Sequence, residues 1–204
     1  MDDLDLDEKE CLEQAIAWLK DNGPDDWHRA ALDFNWGEPL YLLDWIVRQP
    51  DCDIATALTV FWKGEPEFFL EEEGSNDHKP NGFSYLNRKI CAYIAQRVEA
   101  GGYTRSQIAF DPDTWTKQAY VELVAAVENL SKPNFRACPD LIRKRRGRNV
   151  EADMAFYQRY PEKFHHSVLI DLPGDTPRSL ALMERVSMVE AAIRRKLPSW
   201  LRNQ

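Results

Sequence analysis

The chain has 204 residues, 44% hydrophobic and 11% aromatic, with 34 acidic and 26 basic side chains and a formal net charge of −8. That is ample apolar material for a packed core, which excludes an intrinsically disordered chain. No apolar run approaches the roughly 18 residues of a membrane span.

The start, Asp2-Asp3-Leu4-Asp5-Leu6-Asp7-Glu8, is acidic, the opposite of a signal or transit peptide, so the expectation is a cytoplasmic protein. Leu12, Ala15, Ile16 and Leu19 then form one face of a first helix, which Asn22-Gly23-Pro24 stops. A short helix from about Asp26 to Phe34 follows. Asn35-Trp36-Gly37 makes a turn, and Pro39 suits the first turn of a helix carrying Leu40, Leu43, Ile46 and Val47. That helix ends before Pro50, whose ring disfavours a helical predecessor. Asp51-Cys52-Asp53 supplies N-caps for a helix over Ile54 to Trp62. A short piece at Pro66–Leu70 leads into Glu71-Glu72-Glu73-Gly74-Ser75-Asn76-Asp77, which reads as a loop up to Asn81-Gly82.

Phe83, Leu86, Ile90, Tyr93, Ile94 and Val98 mark the next helix, closed by Gly101-Gly102. Asp111-Pro112-Asp113 is a helix start, and Tyr120, Leu123, Val124, Val127 and Leu130 form the face it buries. Pro139 opens another helix, expected to run to Tyr160 and to end at Pro161. Val168-Leu169-Ile170 is the one strand-like run, and Leu182, Val186, Val189, Ile193 and Leu197 form a closing amphipathic stripe. The expectation is an all-α or nearly all-α protein. It has eight to nine amphipathic helices in a compact bundle or array, with at most one short strand near 167–171. The tryptophans at 18, 27, 36 and 45 are evenly spaced, but their flanking residues do not recur, so no repeat is inferred.

The net charge hides a segregation. Residues 1–78 hold 21 acidic and 5 basic side chains, a net of −16, and residues 79–204 hold 13 and 21, a net of +8. This divides the chain into an acidic helical region, 1–78, and a basic one, 79–204, expected to pack as one body. It also implies a charged partner surface, or attraction between the halves.

Trp36-Gly37-Glu38-Pro39, Leu43-Asp44-Trp45-Ile46, Gln49-Pro50-Asp51-Cys52-Asp53, Ala55-Thr56-Ala57 and Phe61-Trp62 read as one unit. The unit, about residues 27–70, resembles an uncharacterised bacterial domain-of-unknown-function family, number 4274. The resemblance implies an interaction protein from a toxin–immunity locus, with no enzymatic activity established for the family as a class. Read from the residues alone, the large aromatics anchor short helices, each burying ~150–250 Å². Asp51 and Asp53 are caps before they are an acid–base pair.

No catalytic signature is present: no G-x-S-x-G, no Walker lysine loop, no H-E-x-x-H and no G-x-G-x-x-G. His166-Ser167 and Asp171 would need the fold to assemble them. Cys11, Cys52, Cys91 and Cys138 form no close pair, and adjacent His165 and His166 are poorly placed to share a ligand, so no metal or other cofactor is expected. Cys11 and Cys91 read as small core hydrophobes. The partner-binding candidates are Glu71, Glu72, Glu73 and Asp77, an acidic stretch suited to the basic surface of a cognate toxin. The basic candidates are Arg143, Lys144, Arg145, Arg146 and Arg148, which suit phosphates but lack interleaved aromatics for base stacking. A nucleic-acid-associated regulator is therefore the second reading, an enzyme the third, and no membrane partner is expected.

Overall fold

The computed structural model describes residues 6–70 and 83–169. Seven α-helices lie among them: α1 Leu6–Asn22, α2 Pro24–Leu32, α3 Tyr41–Arg48, α4 Ile54–Lys63, α5 Phe83–Glu99, α6 Thr114–Glu128 and α7 Met154–Arg159. Single 3-10 turns at Pro66–Phe69, Pro139–Leu141 and Glu162–Phe164 connect them. The described residues contain isolated β-bridges but no sheet. The class is helical; among the described residues the count is seven, where eight to nine were expected of the whole chain. The stripe Leu182–Leu197 lies outside the described residues, as do the candidates Glu71, Glu72, Glu73 and Asp77.

At the centre stands α4. Its sequence, Ile-Ala-Thr-Ala-Leu-Thr-Val-Phe-Trp-Lys, is apolar almost all round, and a helix with that pattern must be covered on every side. Eight of its ten residues are buried. α2, α3 and α5 pack directly on it, and α1 in turn covers α2 and α3. Small Ala55 and Ala57 allow close approach, while Leu58, Phe61 and Trp62 fill the space between helices. Phe61 and Trp62 meet edge to face at 5.1 Å, and the Trp62 indole donates to the Leu141 carbonyl at 2.8 Å. Trp27 and Trp45 also pack edge to face, 5.4 Å apart, whereas Trp18 lies against Phe156 and Tyr160. The even tryptophan spacing thus corresponds to no repeated unit.

Local chemistry accounts for the boundaries. The Asp53 carboxylate caps α4 by accepting the Ala55 N–H at 3.0 Å. Asp113, rather than Asp111, caps α6 by accepting the Thr116 N–H at 2.7 Å. Pro39 stands just ahead of α3 rather than inside its first turn. α5 ends at Glu99, just before Gly101, whose φ of 65° lies in the left-handed region that glycine enters without penalty.

The continuous helix expected from Pro139 to Tyr160 does not exist. It is broken into the turn Pro139–Leu141, an irregular run, and α7, which Asp153 starts by accepting the Phe156 N–H at 2.8 Å. Five cations between Arg143 and Arg148 would crowd at helical i,i+3 and i,i+4 spacing. Instead the run lies beside residues 107–110. Arg145 and Phe110 exchange both backbone bonds, and Arg148 bonds to Gln107 and Ala109. Gly147 permits this approach, because a Cβ there would sit 2.5 Å from the Gln107 carbonyl oxygen. The strand expected near 167–171 is a single antiparallel bridge between Val168 and Phe34, with residues 170–171 outside the described range.

Candidate functional site

Two places bring chemistry-bearing side chains together: a buried polar junction at the start of α4, and an open pocket beside α1.

The junction is built on Asp53, which is fully buried. One carboxylate oxygen accepts the Ala55 N–H, and the other accepts the backbone N–H groups of Gln107 at 2.6 Å and Ile108 at 3.2 Å. Arg105 approaches to 3.9 Å from both Asp53 and Asp25, distances of ion pairing without a direct hydrogen bond. Asp25 takes a bidentate pair from Arg148 at 2.7 and 2.9 Å, and this hydrogen bonding holds its carboxyl below the usual range. One helical turn further along α2, the buried His28 Nδ1 stands 3.0 Å from the Thr56 hydroxyl. Burial pushes the His28 imidazole down to about 4, against the upward pull of Asp53 and Asp25. The neighbouring Asp26, also buried, accepts from Arg29 at 2.7 Å and from both terminal nitrogens of Arg159 at 2.8 and 3.0 Å.

Both Asp53 oxygens are occupied by backbone donors, and Asp51 lies at the surface. The two aspartates therefore do not form an acid–base pair, and the cap reading is the one the geometry carries. His28, Thr56, Asp25 and Arg105 were not singled out from the sequence. A usable signal did exist: Thr56 interrupts an otherwise apolar buried face, and a polar group there requires a partner.

The basic candidates are mostly engaged. Arg143 and Arg145 both reach Asp140, at 2.9 and 3.0 Å, and Lys144 meets Asp111 at 2.6 Å. Arg148 is held by Asp25, and Arg146 is exposed. Four cations of the run thus meet carboxylates, while Arg143, Lys144, Arg146 and Arg148 remain exposed.

The open pocket has a volume of about 160 Å³ and lies between α1, the Glu38–Leu42 stretch and His166-Ser167. Cys11 lines it, half-buried rather than in the core as expected, with its sulfur 3.5 Å from His166 Nε2. Burial raises the Cys11 thiol, with Lys163 opposing and Glu38 reinforcing the shift, so the sulfur is a neutral thiol and not an activated nucleophile. Ser167 bonds to Tyr160 Oη at 2.8 Å and to the Phe164 carbonyl at 2.7 Å. His166 thus faces Cys11, not Ser167, and Asp171 lies outside the described residues. His165 points elsewhere, bonding to the Tyr160 carbonyl at 3.0 Å. Cys52 and Cys91 are buried free thiols, both pushed up by burial. Among the described residues no helix is long and apolar enough to cross a membrane, and no three potential ligands cluster as a metal site.

No curated protein and no solved structure matches the chain. Helices α2 to α4, with Asp25, Asp26, His28, Asp53 and Thr56 of the junction, fall within one recognisable segment, since residues 22–84 match the family model described as Domain of unknown function (DUF4274).

Proposed function

We propose that this chain is a cytoplasmic interaction protein, an immunity protein that binds and blocks a cognate bacterial toxin through an acidic surface. The observation that carries the reading is how charge is distributed over the surface of the described residues. Arg143, Lys144, Arg145 and Arg148 each meet a carboxylate of the same chain, and Arg159 meets Asp26. Asp7, Glu8, Glu10 and Glu13 stand exposed along the first turns of α1. Carboxylates of the same chain thus partly offset these exposed cations, and the first turns of α1 present an acidic surplus at the surface. Glu71, Glu72, Glu73 and Asp77 add to that surplus by charge alone. The family model matched over residues 22–84 is one of unknown function; the toxin–immunity association is the expectation drawn from the sequence resemblance.

An acidic face of this kind steers a basic cleft into register. Steering raises the association rate and selects against acidic competitors more than it adds affinity. The test is co-purification with the product of the adjacent gene: a stable complex is expected, with association that slows as salt rises. A neighbour that does not bind at any ionic strength overturns the reading.

A further inference from the structure

The pocket beside α1 has a lining that combines acidic, aromatic and apolar side chains. Leu12, Ala15 and Leu42 form the floor, and Glu8 and Glu38 line it from opposite elements. Tyr41 and His166 add flat rings, and the His166–Cys11 contact closes one wall. At about 160 Å³ it falls below the ~300–1,000 Å³ typical of small-molecule sites. The space suits one long side chain. Its lining is acidic in composition, with Glu8 and Glu38 and neither lysine nor arginine among the described residues that form it.

We infer that this pocket receives a single arginine side chain of the partner protein, its aliphatic stem on Leu12, Ala15 and Leu42 and its guanidinium between Glu8 and Glu38. An arginine fits each part of the lining. Its stem is apolar, its planar head is matched to carboxylates, and the same plane stacks on aromatic rings. A buried arginine is also among the side chains that most often dominate a protein interface. The pocket opens beside the exposed acids of α1, so a basic partner steered to that face is delivered to it.

The inference rests on the interaction reading above, but its test does not need the toxin. The full chain is titrated with N-acetyl-arginine amide, and with N-acetyl-citrulline amide as the uncharged control of the same shape, while backbone amide NMR signals are followed. Saturable shifts confined to residues 8–15, 38–42 and 166–167 are expected for arginine and not for citrulline. The E8Q/E38Q double variant, folded by the same spectrum, should bind arginine about tenfold more weakly. Absence of localised shifts, equal response to citrulline, or unchanged binding by the double variant overturns the inference. If arginine binds but no neighbour-encoded toxin does, the pocket stands and the immunity reading falls. If a toxin binds equally well to E8Q/E38Q, the immunity reading stands and the pocket is not its anchor.

Discussion

The carboxylate of Asp53 accepts the backbone N–H of Gln107 at 2.6 Å, across 54 positions of sequence. The same side chain caps α4 and holds the Ile108 N–H, so one buried acid joins the matched family segment to the run that follows α5. Three backbone donors lose their acceptor if it is removed. Asp53→Ala should therefore cost about 3–5 kcal/mol, one helix cap plus buried donors left unpaired. Asp53→Asn keeps an acceptor and should cost less, and surface Asp51→Ala should change little. Urea unfolding midpoints check the order; equal effects at positions 51 and 53 would remove Asp53 from its central place.

His28 gives the fold a defined acid sensitivity. Its folded value, about 4, lies below the ordinary 6.5, so the unfolded chain binds the proton more readily. The stabilisation is complete above pH 6.5 and is lost as pH falls toward 4, amounting to about 3 kcal/mol. The depressed carboxyl of Asp25 works in the same direction at lower pH. His28→Gln should flatten the dependence of unfolding free energy on pH between 6.5 and 4. A wild-type curve already flat in that window would contradict the assignment.

Gly147 lies where a Cβ would meet the backbone of Gln107 and Ile108 at 2.5–2.7 Å. Since backbone cannot swing aside, Gly147→Ala should force the run away from residues 107–110, at about 1–3 kcal/mol. Thermal unfolding together with amide exchange of Arg145 and Arg148 would show it. Unchanged protection at those amides would mean the contact is not tight.

How much of this was readable from the chain varies with the physics involved. α1 to α6 were legible because amphipathic periodicity and capping are local: Ile54 to Trp62 with its Asp53 cap needed no knowledge of the rest. The second role of Asp53 was not legible, because it depends on a contact with Gln107 that no local rule supplies. The false helix over 139–160 came from reading Pro139 as an opener and Pro161 as a stop. The repulsion among Arg143–Arg148 and the backbone approach at Gly147 outweighed that punctuation. The pocket was invisible for the same reason, since Cys11 and His166 are 155 positions apart. As a core hydrophobe Cys11 looked ordinary.

The paired cations lead to an expectation for nucleic acid. Arg143, Lys144, Arg145 and Arg148 each meet a carboxylate, which lessens the positive charge this run offers to phosphates. Fluorescence anisotropy with generic duplex DNA should show no saturable binding at physiological salt. A saturable isotherm with a steep salt slope would favour the nucleic-acid reading instead.

The interaction account stands or falls on function in cells. The product of the adjacent gene is expressed alone and together with this chain, and growth is measured. The account predicts that the neighbour alone arrests growth, that co-expression restores it, and that charge reversal at Glu71, Glu72 and Glu73 slows association of the purified pair. A neighbour that is harmless alone, or whose toxicity persists while this chain is abundant and folded, would contradict it.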